Sequence, residues 1–173
     1  MLETLPVADV MADAERYTGT RGGGMDQAIS IGGRARHAAW IKFSPLKIRH
    51  ILVPESWRFV IANSGVRVEK SGYAMGVYNA RRDESEQALR IVTNAALDRG
   101  LIHSQVTGYK NLLEILGEDI AIEVAEAVLE RIFFQRFRHV ITEAVRVGTA
   151  IDLMASEDVQ GFGWLMDASH RSL

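Results

Sequence analysis

The spacing of apolar residues changes once along this chain, and that change limits the folds it can adopt. In the first part the apolar positions follow a period of about two, as where Ala39, Ile41 and Phe43 alternate with the residues between them. From Ala88 onward they recur about every three or four residues, the period of an amphipathic helix. Short strands followed by a helical block predict an α+β fold.

Three segments before residue 64 are predicted strands: 39–43, 48–53 and 59–62. The glycine pair Gly32–Gly33 predicts a hairpin turn before the first of them. The third segment, 59–62, is continuously apolar and does not alternate, which is typical of a strand covered on both faces. We expect short mixed or antiparallel strands here.

Helices are predicted at both ends of the chain. Residues 7–17 carry apolar positions at helical spacing, and a glycine-rich stretch from Gly19 to Gly24 ends this helix. In the second half, Gly100 and Gly117 are predicted helix stops. The stripes that predict helices there are 88–96, 112–116, 122–132, 137–151 and 162–170.

Composition excludes several classes of function. The net charge is -2, which provides no field to attract nucleic acid or an anionic membrane. The amino terminus has neither the basic start nor the apolar core of a signal peptide, and no apolar run reaches the roughly 20 residues of a membrane span. There is no cysteine, and the five histidines show no paired metal-ligand spacing. We expect a cytoplasmic protein with no metal site of its own.

Three consecutive glycines, Gly22 to Gly24, precede Met25 and Asp26. Such a turn lets the backbone approach a ligand closely, and it would hold Asp26 at the rim. The structural alternative is a hairpin or capping loop in which Asp26 is a helix N-cap. The segment is not a Walker A loop, because no Gly-Lys-Ser/Thr follows.

The surroundings of these glycines resemble the segment around the catalytic aspartate of galactokinases, in the wider GHMP family of small-molecule kinases. The resemblance begins at Glu15–Ser30, with its GGGMDQ motif, and continues in order along the chain. Its later segments are 41–46 (IKFSPL), 59–66 (FVIANSGV), 78–82 (YNARR), 138–146 (RHVITEAVR) and 165–170 (LMDASH).

The resemblance implies a partial GHMP-kinase fold and transfer of the γ-phosphoryl group of ATP, with Mg²⁺, to the anomeric hydroxyl of galactose or a related hexose. It implies that Asp26 is the catalytic residue and that Gly23 and Tyr78 bind the sugar. Because the stretch 69–77 is longer than in the family, Tyr73 is the alternative to Tyr78. Arg67 and Lys70 follow a predicted strand and could face nucleotide phosphates, although solvated loop charges are the alternative.

By the same resemblance, residues 1–173 form the central segment of a galactokinase-like catalytic fold. The glycine-rich loop and strands occupy about 18–64, and the helical part about 75–173. The family's amino-terminal sugar-binding segment, its Gly-Leu-Ser-Ser-Ser-type phosphate loop and its glycine-rich carboxyl-terminal segment are not found in these residues. Two alternatives therefore stay open: a non-catalytic sensor of sugar and ATP, and a fragment with no activity. We expect the chain alone to phosphorylate no sugar.

Overall fold

In a computed structural model, residues 23–43, 45–65 and 73–173 are described, together with Val7, Val10, Met11, Asp13 and Ala14, which are helical as predicted. The chain divides into two compact units, Met1–Asn79 with Leu153–Val159, and Ala80–Asp152 with Gln160–Leu173. In the described part, no helix is both long and apolar enough to cross a membrane. The elements are α1 (Met25–Gly32), β1 (His37–Lys42), β2 (Lys47–Leu52), α2 (Tyr73–Asp98), α3 (Tyr109–Val128), α4 (Arg131–Ala155) and α5 (Val159–Arg171).

The first unit contains a hairpin with a helix packed on it. β1 and β2 pair antiparallel, with Ile41 opposite Ile48, and the first two predicted strands are thereby confirmed. Both isoleucines pack against a small core formed by Ala28 of α1 and Leu46 of the connecting loop. Ile41 therefore packs towards α1, although all six residues of β1 are partly buried and its burial does not alternate.

The predicted turn at Gly32–Gly33 is wrong, because Gly32 is the last residue of α1 and Gly33 is its C-cap. The Gly33 N–H donates to the Ile29 carbonyl at 2.8 Å, which continues the helical pattern to the cap. A Cβ atom on Gly32 would collide with the Ile48 side chain, so the glycine here serves close packing of α1 on β2. The chain reverses three residues later, around Arg36, which takes a left-handed φ of 62°.

The predicted strand at 59–62 is also wrong. Residues 57–65 have no regular secondary structure, and Val60 and Ile61 are each 94% exposed. A strand requires a neighbour for its backbone groups, and in the described ranges β1 and β2 form a sheet with each other alone. The apolar run was interpreted as covered on both faces, and the structure leaves both faces open.

The second unit is built on one helical core. Buried apolar residues of α2, α3 and α4 meet in it, and Phe137 and Ile141 of α4 are fully buried. The Phe137 ring lies 5.3 Å from the ring of Tyr109, between centroids. The remaining buried members are Ala88, Leu89, Val92, Ala96, Ile102, Val106, Leu112, Leu116, Ala121, Val124 and Ala125.

Two breaks define the ends of these helices. Gly117 takes a φ of 74° and a ψ of 174°, so it interrupts α3 where a helix stop was predicted. The predicted stripe 122–132 extends across a second break, because Leu129 leaves the helical region at φ −97°, ψ 140° and α4 begins at Arg131. Apolar periodicity continues through this break and so gave no sign of it.

Candidate functional site

The glycine-rich loop leads directly into α1. Gly24 is the N-cap of that helix and has a φ of 78° and a ψ of 12°, in the left-handed region. A residue with a Cβ atom would be strained there, which explains a glycine at this point. The Gly24 carbonyl accepts the N–H of Ala28 at 3.0 Å, the first hydrogen bond of the helix.

Asp26 lies in the first turn of α1, two residues after this cap, and its side chain is exposed. The structural alternative, in which Asp26 itself caps the helix, is wrong, because Gly24 occupies that position and no side chain caps α1. A carboxylate in a first turn interacts favourably with the helix dipole. Among the residues that the structure describes, none forms an ion pair or a hydrogen bond with the exposed side chain of Asp26.

Contacts further along α1 hold this helix against the hairpin. Ala28 is fully buried against Leu46 and the two cross-strand isoleucines. At the other end of the helix, His50 Nε2 lies 2.7 Å from the carbonyl oxygen of Gly32. A carboxylate on a helix anchored at both of these points keeps a defined position, which a general base or an orienting group requires.

Gly23 is exposed and precedes the cap, and a Cβ atom built on it would meet nothing within 4 Å. The conformation that requires glycine is therefore at Gly24, and Gly23 has open space beside it. Open space next to an exposed backbone is what the approach of a ligand needs. The sequence alone did not distinguish the two glycines.

Tyr78 lies in α2, one turn and a half after the first residue of that helix, Tyr73, and it is 49% exposed. No hydrogen bond or ring contact joins Tyr78 to Gly23 or Asp26 among the contacts of the described residues. The side chain of Tyr73 is not among those described, and Arg67 and Lys70 lie outside the described residues. The roles assigned to all four stay predictions.

The resemblance also implies Mg²⁺, for which the described residues provide no ready cluster of ligands. Within 23–43, 45–65 and 73–173, no group of three or more His, Asp or Glu side chains converges on one point. Mg²⁺ in phosphoryl-transfer sites is held by one or two carboxylates and by the substrate phosphates.

Comparison with known proteins gives one consistent result. The chain is 31% identical over 158 residues to a galactokinase of Halalkalibacterium halodurans, a match that covers 91% of this chain and 36% of that protein. It is 31% identical over 159 residues to a galactokinase of Glaesserella parasuis, covering 91% of this chain and 37% of that protein. The chain thus spans just over a third of the length of these curated relatives. No protein-family model matches it.

Proposed function

Because this chain is a galactokinase-like segment, we propose that it supplies the catalytic aspartate of an ATP-dependent sugar 1-kinase. The reaction transfers the γ-phosphoryl group of ATP to the anomeric hydroxyl of galactose or a related hexose, in the cytoplasm. The observation that carries the proposal is the position of Asp26: an exposed carboxylate in the first turn of α1, directly after a left-handed glycine cap. The resemblance of the surrounding GGGMDQ motif supports the same assignment.

Asp26 acts on the attacking hydroxyl. As the anomeric oxygen bonds to the γ-phosphorus, the bond from that phosphorus to the bridging oxygen breaks and ADP leaves. The hydroxyl proton is lost in the same process, and the Asp26 carboxylate orients the hydroxyl or accepts this proton. An anomeric hydroxyl is more acidic than an ordinary alcohol, so a carboxylate of ordinary basicity suffices to assist it.

The neighbouring residues position this carboxylate. Ala28 and the contact between His50 and Gly32 fix α1 on the hairpin, and Gly24 fixes where the helix begins. Phosphoryl transfer depends mainly on the position of the reacting groups and on charge stabilisation. A small displacement of α1 would therefore lower the rate of transfer. The backbone at Gly23 and the ring of Tyr78 bind the sugar in this proposal, with Tyr73 as the alternative ring.

The test is a chimera in which this segment replaces the matching segment of the Halalkalibacterium halodurans galactokinase. Release of ADP, measured with galactose and with N-acetylgalactosamine, should depend on the sugar. Asp26→Ala should lower kcat by roughly 10²- to 10⁴-fold and leave sugar affinity within about threefold, because a group acting on the attacking oxygen stabilises mainly the transition state.

Two further variants make this result specific. Asp26→Asn can orient a hydroxyl but cannot take its proton, so an Asn variant as slow as the Ala variant assigns proton transfer to Asp26. Ser30→Ala changes an exposed side chain of the same helix and should leave kcat unchanged. A folded, active chimera that keeps near-normal turnover with Asp26→Ala contradicts the assignment.

The sugar-binding tyrosine has its own expected signature. Tyr78→Ala should raise the KM for the sugar more than it lowers kcat, because a residue that lines the pocket binds ground state and transition state alike. The comparison is Tyr73→Ala in the same chimera and the same assay. If Tyr73→Ala has this effect and Tyr78→Ala does not, Tyr73 is the pocket residue and the alignment of 69–77 must shift.

A further inference from the structure

The last helix of the second unit differs from its neighbours in how it is held. None of the 13 residues of α5 is buried, and Trp164 and Met166 are 64% and 57% exposed. In α4, by contrast, Phe137 and Ile141 are fully buried in the helical core. Burial of apolar side chains therefore contributes little to the docking of α5.

Polar contacts, rather than buried apolar side chains, join α5 and the residue after it to α4. The Ser169 hydroxyl donates to Glu143 Oε1 at 2.8 Å, and Arg146 Nη2 donates to the Ser172 hydroxyl, also at 2.8 Å. Arg146 Nε in turn donates to Glu143 Oε2 at 2.7 Å. We call these four residues, Glu143, Arg146, Ser169 and Ser172, the polar clasp. The first three lie in the segments 138–146 and 165–170, which the sequence resemblance marked without a role, and Ser172 follows directly after α5.

The polar clasp keeps its acid ionised. Burial acts to raise the pKa of Glu143, but hydrogen bonds from Arg146 and Ser169 outweigh it, with help from the charges of Arg146 and His139. The pKa of Glu143 is consequently lowered from its ordinary value. The polar clasp is thus both charged and hydrogen-bonded at neutral pH.

Beside the polar clasp, the apolar surfaces of α4 and α5 do not close on each other. A groove of about 380 Å³ separates them, lined by Val147 and Ala150 of α4 and by Phe162 and Leu165 of α5. His170 also lines this groove. Close-packed interiors contain few voids larger than a water molecule, so this interface lacks the packing that ties α2, α3 and α4 together.

We propose that α5 is a strap that detaches from α4 while the core of α2, α3 and α4 stays folded, and that the polar clasp controls how often it detaches. Opening the strap breaks the hydrogen bonds of the polar clasp, each of modest net worth, and exposes side chains of α5 that are at most partly buried. Opening the core, by contrast, exposes Phe137, Ile141 and their neighbours to water. An element with few buried contacts opens at a lower free energy than the whole unit unfolds, so α5 is expected to open by itself.

Amide hydrogen exchange of the protein, followed by mass spectrometry at low micromolar concentration, tests the strap. Peptides covering 159–171 should exchange roughly 100-fold faster than peptides covering 88–96 and 137–141. The double variant Ser169→Ala/Ser172→Ala removes both serines of the polar clasp and should speed exchange in 159–171 by about another tenfold. Exchange in the core peptides should change by less than about twofold.

The matched control is Ser104→Ala, an exposed serine outside the helices, which should alter neither set of peptides. Equal exchange rates in α5 and in the core of the unaltered protein would show that α5 opens only with the whole unit, and the proposal would be wrong. So would a double variant that accelerates the core peptides as much as α5. If the double variant does not fold, the exchange rates of α5 and of the core peptides in the unaltered protein decide the test.

Discussion

The two units of this protein bury their apolar residues to very different extents. The helical unit places Phe137, Ile141 and Leu112 in one close-packed core. The unit with the glycine-rich loop has a described core of Ala28 and Leu46 with partly buried isoleucines around them. It buries Trp57 and Met154 outside that core and leaves Val60 and Ile61 almost wholly exposed. The candidate catalytic aspartate therefore lies in the unit whose described residues form the smaller apolar core.

This difference indicates which substitutions should destabilise each unit. In the helical unit a core side chain is surrounded on all sides, so removing it leaves a cavity. Among the described residues of the first unit, Ala28, Ile48 and the contact between His50 and Gly32 fix α1 on the hairpin. The assignment of Asp26 depends on these contacts rather than on a large core.

The largest expected effect is in the helical core. Phe137→Ala should lower the free energy of unfolding by about 3–5 kcal/mol, because the fully buried ring leaves a cavity beside Tyr109. Urea denaturation followed by helical circular dichroism measures it. Ile132→Ala, on the same helix but 46% exposed, is the control and should cost less than about 1.5 kcal/mol. A Phe137 variant no weaker than the control would contradict the contrast between the units.

An intermediate effect should appear at alkaline pH. Burial raises the pKa of Tyr109 to about 12; the hydrogen bond from Ser85 lowers it and the charge of Glu86 raises it further. The folded protein thus holds this proton more tightly than the unfolded chain, so the contribution is complete below about pH 10 and is lost as the pH rises towards 12.

The loss amounts to about 2 kcal/mol of unfolding free energy. Tyr109→Phe cannot ionise and should lose less stability over this range, so the difference between the two proteins isolates Tyr109 from other groups. At neutral pH the variant should be about 1 kcal/mol weaker, because the Tyr109 hydroxyl donates to the Ser85 carbonyl at 2.6 Å. Parallel urea titrations between pH 8 and 12 measure both quantities. Identical pH dependence in the two proteins would rule out this account.

The smallest effect on stability is expected at the exposed apolar segment. Val60→Lys/Ile61→Lys should change the free energy of unfolding by less than about 0.5 kcal/mol, because both side chains are already 94% exposed. It should nevertheless reduce self-association, since an extended apolar segment offers unpaired backbone to another chain. Light scattering after size-exclusion chromatography measures this. Ile48→Lys, in the small core of the first unit, is the comparison and should destabilise it.

Apolar periodicity predicted those helices whose formation depends on residues close together in the sequence. The stripes 88–96 and 137–151 became α2 and α4 because side chains three and four apart share a helix face. The same pattern could not reveal the break at Leu129, where apolar residues continue across a change of backbone direction. It also misjudged 59–62, because a continuous apolar run indicates burial only when a neighbouring strand is present.

The candidate site was predictable only where it depends on residues that are neighbours in the sequence. Gly22 to Gly24 predicted a glycine-rich turn with Asp26 at its rim, and the structure has a left-handed cap at Gly24 with Asp26 in the first turn of α1. The anchoring contact of His50 with Gly32 joins residues 18 positions apart and depends on the hairpin register. No local pattern carries such information. The mistaken hairpin turn at Gly32–Gly33 had a similar origin, since the packing of Gly32 against Ile48 is a contact between residues 16 positions apart.

The break at Gly117 resets the rotational phase of α3. In an unbroken helix, Leu116 and Ala121 would point about 140° apart, since each residue turns by about 100°. Both are nonetheless buried in the same core. A Cβ at Gly117 would meet nothing within 4 Å, so the backbone angles alone demand glycine. Gly117 thus joins two short helical segments whose apolar faces would not align in one continuous helix. Its backbone angles let both segments bury their apolar side chains in the same core.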